Sequence, residues 1–223
     1  MKNGSLFTAA EHLKCFSAVD ASFVDATRSM LPWLGRFGQV VETEFSVFRD
    51  ALQFLFPVKS FTTRYLVIDL GDWRILFSDM RHDACEVDAF AVSRATRCRG
   101  ISVKMRDSDR ALQIFEQGQQ LRWVESAEDG DRWHFLEAGA IQPFEDLKEV
   151  QRRRKRDRLS VTAVSAYFER YTGIPVPNWR DVSPLSILGL ERSLAGLENP
   201  VVSFPTEMDF LNENLPSQSS YDR

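Results

Sequence analysis

Four residues able to do chemistry crowd into one short stretch, His82, Asp83, Cys85 and Glu86. A structural zinc site takes four nitrogen or sulfur donors, commonly as two closely spaced pairs, and His82 with Cys85 supplies one pair. Cys98 lies a predicted helix length away and His134 falls in a separate predicted strand, so no metal set is expected, and Asp83 reads as a helix N-cap. A nucleophile would need a histidine held by a third group. His134 alternates with Trp133 and Phe135, on the side shared by Arg132 and Leu136. The chain has three histidines and no Gly-x-Ser-x-Gly elbow, so a triad has little support. Asp69, Asp72 and Asp79 cluster around a predicted hairpin, where aspartates serve the turn backbone. Walker and Gly-x-Gly-x-x-Gly phosphate loops are absent. The expectation is a non-catalytic protein with no cofactor and no metal. A hydrolase centred on His82, Asp83 and Cys85 is the third alternative, and it predicts a metal or a reactive Cys85 thiol.

The second constellation is EVQRRRKRDR, in which Arg152, Arg153, Arg154, Lys155, Arg156 and Arg158 place six cations in seven positions. Affinity for nucleic acid comes from several cations on one surface releasing counterions at phosphates, usually with aromatic or polar readers beside them. The expected conformation here is helical, and successive helical residues fan out by about 100°. The charges would then surround the helix instead of lining a groove, with one or two of them locked onto acidic groups of the body. A structural or anion-binding basic helix is therefore the reading, and nucleic acid is the lesser expectation as a partner.

Around that run the chain is acidic. The formal net charge is −4, and residues 152 to 158 carry +5, so the remainder carries −4 − 5 = −9. Of the 223 residues 43% are hydrophobic and 12% aromatic, enough apolar material for a sizeable core. No run approaches the about 20 apolar residues of a membrane span. Glu11, His12 and Lys14 interrupt any N-terminal apolar segment, so no cleaved signal and no membrane partner are expected. Three cysteines cannot all pair, and a helix between Cys85 and Cys98 would hold that pair too far apart for a disulfide. A reducing, cytoplasmic setting fits.

These groups must be positioned by a predicted α+β fold, a mainly antiparallel sheet of about five or six strands with one inserted helix and helices at both ends. Residues 1–60 are expected to form a helical N-terminal region packing on the core, since Val41, Phe45, Phe48, Leu52 and Leu55 recur at helical steps before Pro57. Residues 61–173 form the core. RYLVIDL and WRILFSD flank Gly71-Asp72 as a hairpin, with Trp73, Ile75 and Phe77 on one face. A helix over CEVDAFAVSRATRC follows, then GISVKMR, ALQIFEQ, LRWVES and RWHFLEA as strands. Ser160 caps a helix that Gly173 closes. Residues 174–223 hold six of the nine prolines and form a partly irregular extension.

The stretch from Asp129 to Ile174 also resembles a pattern in uncharacterised bacterial proteins. It comprises the Asp129-Gly130 hairpin, Arg132-Trp133-x-Phe135, Pro143-Phe144-Glu145, arginines ending in Arg156-Asp157-Arg158, the hydroxyl of Ser160, and Tyr171 before Gly173-Ile174. Upstream, Gly71-Asp72-Trp73 and Cys98-Arg99-Gly100 are similar to the same proteins' strand entries, so the match spans residues 72 to 174. Where those proteins carry a Gly-Thr-Asp loop, this chain has Arg81-His82-Asp83-Ala84-Cys85. The resemblance implies an immunity-type protein associated with polymorphic or secreted toxins, with a cognate toxin or effector domain as partner and no catalytic residue. Occlusion of a basic toxin site would use exposed acids, of which Asp79, Asp83, Glu86, Asp88, Glu207 and Asp209 are the candidates. A nucleic-acid or nucleotide-binding module using Arg152 to Arg158 is the alternative.

Overall fold

Strand-forming sequence is spread through most of the chain, and in the computed structural model it gathers into one sheet. The structure describes residues 14–36, 38–55, 61–79, 85–176 and 183–193. Among them nine strands form β1 (Cys15–Val19), β2 (Gln39–Phe45), β3 (Thr62–Asp69), β4 (Arg74–Ser78), β5 (Arg99–Met105), β6 (Asp109–Glu116), β7 (Gln119–Asp129), β8 (Arg132–Gly139) and β9 (Ser186–Ser193). Their order is β2-β9-β3-β4-β1-β5-β6-β7-β8, and every neighbouring pair is antiparallel. Strands β5 to β8 run as a meander to one edge, where β8 has no partner on its outer side among the described residues.

Helices cover both faces of this sheet. Alternation in β3 sends Leu66 and Ile68 to one face and Tyr65 and Val67 to the other. On the Tyr65 face, α1 (Phe23–Gly35) buries Ala26, Met30 and Leu34, and α3 (Cys85–Thr96) buries Val92. The Leu66 face receives α2 (Phe48–Phe54) through Phe48 and Leu52, α4 (Leu147–Val150) through Val150, and α5 (Val161–Thr172) through Val164 and Phe168. Fully burying one such side chain stabilises by about 1.5–3 kcal/mol, so the two layers fix which face each strand residue takes. Local chemistry sets the ends of α5: the Ser160 hydroxyl accepts from Ala163 N–H at 3.2 Å, and Gly173, at φ 75°, donates its N–H to Glu169 O at 2.8 Å.

Three expectations are corrected. The sheet has nine strands, not five or six, and the described chain is mostly sheet. The N-terminal region is not simply helical, because β1 sits in the middle of the sheet and β2 at its other edge. The stretch from Val41 to Leu55 divides at Ser46 into strand and helix. Its Val41 and Thr43, with Val40 just before them, are stiff β-branched residues that pair with β9, and the helix itself begins only at Phe48. Within the C-terminal extension, expected to be partly irregular, residues 186–193 form β9, paired on its two sides by β2 and β3. Lastly, the basic run is not a helix: only a 3₁₀ turn at Lys155–Asp157 interrupts an irregular path between α4 and α5. The expected Asp83 cap lies outside the described residues.

Candidate anion-binding surface

The meander end of the sheet carries an unusual arginine. On β7, Arg122, Val124 and Ser126 face the α5 side, and their cross-strand partners Ile114, Leu112 and Arg110 share that face. Arg122 is 1% exposed and needs compensation at that depth. Glu145, just ahead of α4, supplies it: Arg122 Nε donates to Glu145 Oε1 at 2.9 Å and Nη2 to Glu145 Oε2 at 2.9 Å, while Nη2 also reaches Glu137 Oε2 at 2.9 Å. Burial acts to lower the Arg122 pKa, but the bonds to the two carboxylates outweigh it and hold the value above the ordinary one. Nη1 donates to Gly139 O at 3.3 Å, where the chain comes so close to β7 that a Cβ would stand 2.0 Å from Leu121 O. This cluster fastens residues 137–145 to the sheet.

From that anchor the chain passes through α4 into the basic run. Backbone carbonyls of the run are drawn toward the sheet: Arg110 Nη2 donates to Arg156 O at 3.0 Å and Ser126 Oγ to Lys155 O at 3.1 Å. Arg158 Nε returns to Arg152 O at 2.7 Å, and its guanidinium lies 4.9 Å from the Phe135 ring centroid. With the backbone held inward, the side chains of Arg152 to Arg156 are exposed. Arg152 pairs with Glu149 and Arg156 with the exposed Asp157 at 3.6 Å, while Arg153, Arg154 and Lys155 have no ion pair among the described residues. Leu159, fully buried at φ 52°, turns the chain into α5. That left-handed conformation costs on the order of 1–3 kcal/mol and persists because burial over-determines it.

Beside the run stands Trp133. Its strand alternation places it with Phe135 on the α5 side, half-buried at the open edge. The Arg110 guanidinium lies 4.5 Å from its ring centroid, and Arg110 is itself 8% exposed with Nε lacking a hydrogen-bond partner. Trp133, Arg154, Lys155 and Arg156 line an open cavity of about 350 Å³, within the range of about 300–1,000 Å³ typical of small-ligand clefts. Three cations line the cavity and a fourth, Arg110, lies against its aromatic ring, a combination whose chemistry suits an anionic group attached to a planar one.

The acidic candidates fare differently. Asp79 and Asp88 are 2% and 1% exposed, so the accessibility expected of them is corrected: Asp79 ends β4 against Arg64, and Asp88 falls on the buried stripe of α3 with Ala89 and Val92. Burial pushes the Asp79 pKa up to about 7, restrained by a backbone hydrogen bond and the guanidinium of Arg64, and burial pushes Asp88 well above the ordinary carboxyl value. Asp79 Oδ2 and both Asp88 oxygens lack hydrogen-bond partners. Asp83, Glu207 and Asp209 lie outside the described residues, as does His82, and of Glu86 and Cys85 only their place at the start of α3 is described. Asp69 serves the turn, accepting from Gly71 N–H at 3.0 Å and pairing with Arg74 at 3.6 Å. His134 is exposed beside Asp129 at 3.9 Å. Among the described residues no three His, Cys, Asp or Glu side chains gather to share a metal.

Trp133 and Arg110 were not picked out as site residues from the sequence. The signal was present: Arg110 occupies the apolar face of β6, in step with Leu112 and Ile114, where a cation needs a reason to be. Together these features define a helix-flanked, single-sheet antiparallel protein with a cationic, aromatic-floored surface at one edge. No helix among the described residues is long and apolar enough to cross a membrane. The chain matches no family model, no curated protein and no solved structure.

Proposed function

We propose that this protein is a non-catalytic binding protein whose docking surface is the segment Arg152 to Arg158 and whose partner is a phosphate-bearing nucleic acid. The observation that carries it is the outward projection of Arg152 to Arg156 from a backbone clamped by Arg110, Ser126 and Arg158. The basic segment is not a helix whose charges point all round. In this irregular segment the carbonyls of Lys155 and Arg156 are held against the sheet, and the side chains of Arg152 to Arg156 stand exposed, three of them lining the cavity with Trp133. Desolvation does not oppose their use, and each phosphate contact gains by counterion release.

The test is fluorescence anisotropy of a labelled oligonucleotide across a salt series. Affinity is expected to fall linearly on a log-log plot between about 50 and 200 mM salt. Replacing Arg154, Lys155 and Arg156 together by Gln is expected to weaken binding more than tenfold at low salt and to reduce the slope by about 2, at ~0.7 per phosphate for single strands. No salt-sensitive binding, or a triple variant that binds as the parent does, overturns the proposal. Occlusion of a toxin, implied by the resemblance, is a separate proposal. Of its six acids Asp79 and Asp88 are buried, and it is tested by co-expression and pull-down with the product of the adjacent gene.

A further inference from the structure

We infer that the cavity beside Trp133 holds one unstacked base of a single strand, so that the protein prefers single-stranded nucleic acid to duplex and to free nucleotides. This rests on the reading of the 152–158 segment as a nucleic-acid surface and names its ligand class. A stacking platform must present one rigid aromatic face with the other supported. Trp133 meets that requirement, since the Arg110 guanidinium underlies the ring at 4.5 Å and is itself held by Arg156 O at 3.0 Å. A ring already covered by a cation and rimmed by Arg154, Lys155 and Arg156 repels a cationic guest such as an alkylated lysine. A neutral planar base tethered to a phosphate is complementary to it.

Volume and charge exclude the two competitors. The bases of a duplex are stacked inward and reach a 350 Å³ cleft only after flipping, at an unstacking cost that a single strand avoids. A free nucleotide fills the cleft but leaves Arg153, which has no ion pair among the described residues, without a phosphate. Two carboxylates also stand at this rim: Glu128 faces Trp133 across the strand pairing, and Asp157 lies 3.6 Å from Arg156. They weaken a purely electrostatic grip and direct the phosphates toward Arg153, Arg154 and Lys155, so stacking must supply part of the affinity.

The experiment compares an oligo-dT and an oligo-U of equal length, a hairpin duplex of matched charge and a mononucleotide, each titrated against the parent and four variants. Trp133→Ala is expected to weaken single-strand binding by roughly 5- to 150-fold, corresponding to ~1–3 kcal/mol per stacked base. Trp133→Phe retains most of the affinity, and duplex binding is weaker at the outset and unchanged by either substitution. Trp133→Leu, which covers Arg110 without a π face, gives the alanine result if stacking is the cause and keeps the measurement valid if the alanine variant unfolds. The Arg154, Lys155, Arg156 triple Gln variant separates the two claims. Equal single-strand and duplex affinity, a mononucleotide that binds as tightly as the strand, or Leu and Phe variants that behave alike overturns the base pocket while salt-dependent binding still stands. Loss of all effect from the triple variant overturns the nucleic-acid surface itself.

Discussion

Arginine is used in two opposite ways within a short distance of chain. Arg122 stands alone in β7, 1% exposed, with both forks of its guanidinium closed by Glu145 and Glu137. The segment from Arg152 to Arg156 is crowded with charge, yet Arg153, Arg154 and Lys155 have no ion pair among the described residues. A cation taken out of water must be paired and hydrogen-bonded or it costs several kcal/mol, whereas an exposed one keeps its hydration and contributes little to the fold. The single arginine is thus the structural element, and the conspicuous run is available for a partner. Charge density along a sequence is a poor guide to charge energetics in a fold.

The largest test of this contrast removes the buried cation. Arg122→Ala leaves Glu145 unpaired inside the protein and should cost about 3–5 kcal/mol, read from urea unfolding; a change under 1 kcal/mol would mean that the cluster is not closed as described. Next comes Asp79, a buried acid that Arg64 only partly compensates. Its pKa is raised in the folded state, so the folded protein binds more protons than the unfolded chain between their two values. Stability is therefore fullest below the ordinary 3.8 and declines as pH rises to about 7, where folded Asp79 ionises as well. Asp79→Asn should flatten that decline by on the order of a few kcal/mol, measured by thermal unfolding from acid to neutral pH. An unchanged pH profile would refute the assignment.

Smaller effects are expected at the surface. Ser160→Ala removes the hydroxyl that accepts from Ala163 N–H and from which Glu149 Oε2 accepts at 3.0 Å, at a cost of about 1 kcal/mol, read from the shift in midpoint denaturant. The smallest stability change belongs to the most charged segment. Gln at Arg154, Lys155 and Arg156 should each stay within about 0.5 kcal/mol, and a clear loss of stability in the triple variant would place those cations on the structural side of the contrast.

Much of the local structure was legible because it depends on neighbours in sequence. The turn at Gly71-Asp72, the four meander strands with Asp129-Gly130 between the last two, the Ser160 cap and the Gly173 close follow from backbone preferences that a few residues settle. The full sheet was not legible. β1 and β9 are paired on both sides by strands remote in sequence, and β2 pairs with β9, more than a hundred residues further on. In Val40 to Phe45 the β-branched residues favour a strand while Val41 and Phe45 keep a helical spacing with Phe48, and pairing with β9 decides between them. The acids illustrate the same limit: Asp79 and Asp88 carry no local mark of burial, and only packing against β3 and the sheet removes them from water.

The candidate site divides along the same line. By itself the sequence determined that six cations would lie within seven positions, and that Trp133 and Phe135 would share a face, because covalent order and the two-residue strand period require it. Only the tertiary structure decided that the cations point outward beside Trp133. Their direction is set by Arg110 and Ser126, on strands β6 and β7, holding the carbonyls of Arg156 and Lys155, and hydrogen bonds between residues tens of positions apart leave no periodic trace in the chain.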